Sequence, residues 1–197
     1  MEKKFFLAIV FLSIAYPVLF AQDVIEWDSN CQLQLSDFRS PTTQIGEGDV
    51  YSLYSGSTFS FAFQMSNAEF MFTKNFNSKV SCIFRRNLAS LVAPDSARAT
   101  DLLLFSRYEF DLAELYARKT RQQLYDQKSA FSSLSFFQPV FEQSQKEFSE
   151  RHVAAGRATD LGQNREKLQE LQQEVRHEIA TTYSDFCKTC KPTKKKK

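Results

Sequence analysis

Apolar and polar residues alternate in the first half of this chain and recur at threes and fours in the second. Residues 58–65, T-F-S-F-A-F-Q-M, place Phe59, Phe61, Phe63 and Met65 on one face. A spacing of two is the period at which strand side chains point to opposite faces. The same alternation runs imperfectly through Val24 to Trp27 and again through Gln32 to Leu35. Asn77 to Phe84 reads as another strand with Val80 and Cys82 on one side, and Val50–Tyr54 and Glu69–Phe72 add two more. Between them, residues 41–49 (P-T-T-Q-I-G-E-G-D) form a polar connector rich in turn residues.

Past Pro94 the period changes. Asp95 and Ser96 open a helix expected to reach about Lys128, in which Phe105, Tyr108, Leu112 and Leu115 recur at helical spacing beside Leu104 and Tyr116. Glu114 precedes Arg118 by four, the favourable order for a helix-surface ion pair. A second helix is expected from Gln138 to Ala154, then a break at Gly156 and residues 159–162. A third runs from Asn164 to Phe186, with Leu168, Leu171, Val175, Ile179, Thr182 and Phe186 in one narrow stripe. Fewer than three clean heptads are present, so that stripe reads as an internal packing face rather than a coiled coil. Strands first and helices after predict an α+β domain: a mostly antiparallel sheet over residues 22–90 and three helices over 94–187. Twenty phenylalanines against five glycines point to an aromatic core with few tight turns.

Composition adds a compartment. Lys3 and Lys4, the apolar run from Phe5 to Ala15 and the small-residue end at Ala21 make residues 1–21 a signal peptide. The run is interrupted at Pro17 and is shorter than the ~20 apolar residues of a spanning helix. No later stretch is apolar enough to cross a bilayer, so the expected product is exported, periplasmic or secreted. It would be a single domain over residues 22–190, ending in a solvated Lys-rich tail at 191–197. The formal net charge of +2 divides into +1 for residues 1–21, +5 for residues 191–197 and therefore −4 for the body. An acidic body excludes nucleic acid as a partner, because phosphates demand a concentrated basic face. The tail's one candidate partner is an anionic surface.

Four cysteines in an exported chain favour disulfides, and four allow three connectivities. Cys31 with Cys82 and Cys187 with Cys190 is the preferred pairing. The C-x-x-C spacing of the second pair follows a helix instead of opening one, which argues against a redox motif. Only two histidines exist, His152 and His177. His177, between Arg176 and Glu178, reads as a solvated surface residue, and His152, beside Arg151, as a helix-end residue where the dipole favours a cation. Neither has a nucleophile beside it in sequence, and the acidic residues alternate with Lys and Arg as on a solvated face.

Residues 101–119, D-L-L-L-F-S-R-Y-E-F-D-L-A-E-L-Y-A-R-K, resemble the helix L-L-x-H-E-x-x-H-F-D-I-x-E-x-Y-A-R-K of the exported bacterial domain of unknown function 922 family. Trp27 with L-Q-L-S-D-F at 33–38 is similar to that family's opening, and residues 76–84 to the strand before its helix. The resemblance implies a zincin-like fold and a secreted zinc-dependent protease, but the implied chemistry is missing. Where the family has two histidines four apart and a glutamate base, this chain has Phe105, Glu109 and Ser106; where it has a later histidine, this chain has Leu161. Glu109 and Asp111 lie about 200° apart around a helix and cannot face one ion. A buried Phe105 would fill the metal's space with hydrocarbon and contribute about 1.5–3 kcal/mol.

The expectation is an exported, non-catalytic pseudo-peptidase with no metal or other cofactor, serving a structural or binding role toward an envelope protein or peptide. Two alternatives stand beside it. One is an active metal-dependent protease or hydrolase with a rebuilt site, the only reading that calls for zinc. The other is a helical envelope adaptor working through residues 136–186.

Overall fold

The computed structural model describes residues 23–62, 64–129 and 132–192. The signal-peptide reading, Phe63 and the terminal lysines Lys194–Lys197 lie outside the described residues. In chain order the strands are β1 (Val24–Glu26), β2 (Gln44–Ile45), β3 (Ser52–Tyr54), β4 (Ser57–Phe61), β5 (Val80–Arg85) and β6 (Ser90–Ala93). The helices are α1 (Asn67–Phe72), α2 (Ser96–Gln127), α3 (Phe137–Thr159) and α4 (Arg165–Ala180). One sheet has the order β1-β5-β4 and is antiparallel throughout; the other has the order β2-β6-β3, parallel at β2 and antiparallel at β3. The fold is α+β, with mostly antiparallel sheets first and helices after.

Strand alternation works as written for β4 and β5. Phe59 and Phe61 on one strand and Val80, Cys82 and Phe84 on the other all point inward and are buried. They meet α2, which packs on both sheets and on α3 and α4. Asp95 caps its start, its carboxylate accepting from the Arg98 N–H at 2.7 Å. Phe59 meets Phe141 and Phe148 edge-on, and Phe61 and Phe70 both meet Phe137, so aromatic rings close the gap between β4 and α3.

Several boundaries fall elsewhere than the periodicity suggests. Residues 69–72 are helical in α1 rather than a strand, because the Ser66 hydroxyl accepts from the Glu69 N–H at 3.1 Å and starts a turn. Residues 32–35 make no ladder; the Asp37 carboxylate accepts from the Gln34 N–H at 2.7 Å and bends the chain into a 3₁₀ turn at Leu35–Asp37. β2 falls inside the polar connector and β6 in a four-residue stretch too short to show a period. α3 continues through Gly156 to Thr159, and the break comes at Asp160, Leu161 and Gly162, all at positive φ. α4 stops at Ala180, and Phe186 is buried in a separate 3₁₀ turn at Ser184–Phe186.

Polar groups on α2 are as thoroughly enclosed as apolar ones. Arg121, 1 % exposed, donates through Nε and Nη2 to the Val80 carbonyl on β5 at 3.1 and 2.8 Å. Its Nη1 donates to Glu114 Oε1 at 2.9 Å and to the Phe186 carbonyl at 3.0 Å. Arg118 donates to the same Glu114 oxygen at 2.8 Å and reaches the Ile179 and Tyr183 carbonyls at 3.3 and 3.4 Å. Those carbonyls lie at and just past the C-terminal end of α4, where a cation is favoured by the helix dipole. One turn earlier, Asp111 accepts from Trp27 Nε1 at 3.0 Å, Gln172 Nε2 at 2.9 Å and Arg176 Nε at 2.8 Å. That carboxylate joins the N-terminal segment to α2 and α4.

The α3–α4 turn seats directly on α2. A Cβ on Gly162 (φ +99°) would stand 2.2 Å from the Asp101 carbonyl oxygen. Gly162→Ala should therefore lose about 2–3 kcal/mol. Gly156 is mid-helix, and a Cβ there meets Leu161 and Phe105 only at 3.4 and 3.6 Å. Gly156→Ala should gain about 0.5–1 kcal/mol. Urea unfolding of the two variants checks the opposite signs.

Candidate functional site

Three of the four positions where the resemblance places catalytic machinery come together in space. Phe105 and Glu109, one turn apart on α2, line a cavity of about 220 Å³ with Leu161 from the α3–α4 turn. The opposite wall is β3 and the turn into β4, through Leu53, Tyr54 and Ser57. A more open depression continues outward past His152, Val153, Gly156 and Leu161. Ser106 does not belong to this wall. It is fully buried, and its hydroxyl has no hydrogen-bond partner among the described residues.

The fourth participant is His152, a histidine that the sequence reading explained by a helix end. His152 lines the cavity, its Nε2 3.3 Å from Glu109 Oε2. Its ring lies 5.5 Å from that of Phe105 and is stacked on Phe148 at 6.0 Å. The expected helix end at Ala154 made His152 a terminal residue, whereas α3 runs on to Thr159 and makes it internal. A signal was present: Phe137, Phe141, Ser144, Phe148, Ala155 and Thr159 recur at threes and fours, and His152 sits on that row. His177, by contrast, is exposed on α4.

The chemistry of this wall is that of a filled site. Phe105 is fully buried, so hydrocarbon fills the position at which the resemblance implies a ligand side chain. A catalytic zinc ion takes three protein ligands and keeps one position open. Glu109 and His152 are two, and among the described residues no three His, Cys, Asp or Glu side chains converge on a point. The residues present do not fit the ion that the resemblance implies.

What remains is an imidazole–carboxylate pair. The hydrogen bond that the His152 imidazolium donates to the Glu109 carboxylate raises the His152 pKa above the ordinary 6.5, against the burial that opposes it. A histidine with a raised folded-state pKa adds stability that is fully present below its unfolded value and is lost as pH rises through the raised one.

The cysteines divide. Cys187 and Cys190 are bonded, with their Cα atoms 5.0 Å apart. Cys31 and Cys82 are free thiols, so the pairing expected for them is not formed. Cys82 points into the core under α2, its Sγ 3.9 Å from the Phe110 carbonyl, and burial pushes its thiol well above the usual range. Cys31 is only partly buried and lies in a loop beside Arg107 and Asp111.

Comparison with known proteins returns nothing to set beside this geometry: no family model, curated protein or solved structure matches the chain.

The pair carries its own test. His152, followed by proton NMR, should titrate above 6.5 in the wild type and fall to or below that value in Glu109→Gln, where burial acts unopposed. Titration of His152 below its ordinary value in the wild type would contradict the geometry.

Proposed function

We propose that this chain is an exported, non-catalytic domain of zincin-like ancestry, periplasmic or secreted, whose cleft binds a protein or peptide segment without cleaving it. The observation that carries the reading is a division among the motif residues. Those that match the resembled pattern (Trp27, Asp111, Glu114, Arg118) hold the fold together. Three of those that depart from it (Phe105, Glu109, Leu161) line one cavity. A lineage that lost its chemistry while its architecture was still needed would change in this way. The Cys187–Cys190 bond fits an oxidising compartment. No helix among the described residues is long and apolar enough to cross a membrane. The cleft also borders β3, an outer strand of its sheet, and such an edge presents main-chain donors and acceptors to an extended segment.

One observation favours a second reading. His152 and Glu109 form a hydrogen-bonded acid–base couple in a cavity that also contains Ser55 and Ser57. A hydrolase rebuilt around this couple would lose its turnover in His152→Ala.

Metal content tests the first reading against an occupied zinc site. Protein recovered from cells should hold less than about a tenth of an equivalent of zinc, against the one ion of an occupied catalytic site. Heat stability should be unmoved by added zinc. The combined change Phe105→His, Ser106→Glu, Glu109→His and Leu161→His should create a zinc site of about one equivalent, because the cavity brings the three ligand positions together. Stoichiometric zinc in the wild type, with proteolysis lost on chelation, would overturn the proposal.

A further inference from the structure

Far from the cleft, the connection between β4 and β5 ends α1 on two large apolar side chains in water. Phe72 is 87 % exposed and its neighbour Met71 68 %. A single exposed leucine needs no account; an adjacent phenylalanine and methionine at the tip of a short helix do. Folding does not explain them, because Phe70 alone turns from α1 into the core.

The C-terminal segment leaves the body at the same corner. Asn75 Nδ2 donates to the Cys190 carbonyl at 3.1 Å and Asn77 Nδ2 to the same oxygen at 3.0 Å. Only Thr73 and Lys74 separate Phe72 from Asn75, three steps or at most about 11 Å of chain. The Cys187–Cys190 bond closes the turn, and Lys188 pairs with Glu26 at 2.6 Å, which fixes the exit point. Lys191 follows at once, and the sequence continues into Lys194–Lys197. Glu69, the one carboxylate of α1, is neutralised by Lys79 at 2.7 Å. Lys74 lies over the Tyr125 ring.

We infer that this corner docks on an anionic lipid bilayer, with Phe72 and Met71 entering the interface and the lysines of residues 191–197 against the head groups. Two observations choose that occupant. The charge is segregated, +5 in the last seven residues against −4 in the body, so only the tail end is drawn to an anionic surface. The hook and the tail also start from one place, and stable peripheral anchoring needs two such signals together. An acidic protein would satisfy the lysines yet would leave the exposed ring unexplained.

The test is sedimentation of the exported protein, as recovered from cells, with phosphatidylcholine vesicles containing about a third phosphatidylglycerol. The protein should pellet with these vesicles and stay in solution with phosphatidylcholine alone. Replacing Phe72 and Met71 by serine should weaken partitioning by about tenfold or more. Replacing the five tail lysines by glutamine should weaken it by about fivefold per lysine. Raising salt should release the wild type. Unaltered thermal melting of both variants shows that the fold is intact. Absence of binding, equal binding to neutral vesicles, or binding unchanged by the Phe72/Met71 change would each overturn the inference.

Discussion

Glu114 is enclosed at the centre of this molecule with two arginines on one of its oxygens. A carboxylate taken out of water is tolerable only when paired and fully hydrogen-bonded, and the same holds for each guanidinium. The arginines therefore have to find their remaining acceptors nearby, and they find them on the main chain of β5, at the end of α4 and in the turn that buries Phe186. Three parts of the chain far apart in sequence are thus held to α2 by one ionic cluster. An apolar core fixes how much surface is buried; directional donors of this kind fix which carbonyl sits where.

Asp111 does the same at the neighbouring turn, drawing Trp27, Gln172 and Arg176 onto one carboxylate. Together the two sites make α2 a post to which strands and helices are tied from all sides. Phe105 and Glu109 ride on the same post one to two turns earlier, facing the α3–α4 turn and β3. The turn is seated closely on the Asp101 carbonyl through Gly162, which sets the position of Leu161 in the cleft wall. On the proposed reading, a change of chemistry at Phe105 need not disturb the scaffold. A fully buried phenyl ring at Phe105 contributes apolar burial and leaves no desolvated charge at that point of the cleft wall.

The long helix, the inward faces of β4 and β5 and the order of sheet before helices were all legible in the residue pattern, because each carries a sustained period. What was not legible depended on single hydrogen bonds or on distance in sequence. Ser66 turned an apolar run into a helix with one capping contact, and Asp37 did the same to residues 32–35. A C-x-x-C spacing revealed the local disulfide, but nothing in sequence said that Cys82 would face α2 and leave Cys31 free. His152 was misplaced by a helix end put five residues early, and with it the site's one imidazole. The positions of Phe105, Glu109 and Leu161 could be named in advance only through the resemblance. That they share a cavity is a fact of folding.

The claim that the matched motif residues are kept for architecture is tested most directly by a double-mutant cycle between Glu114 and Arg121, read by urea unfolding. Glu114→Gln and Arg121→Met should each lose about 3–5 kcal/mol, since each leaves a buried charge unpaired. The double variant should lose less than their sum by about 1.5–3 kcal/mol. Strictly additive losses, with a coupling near zero, would contradict the account.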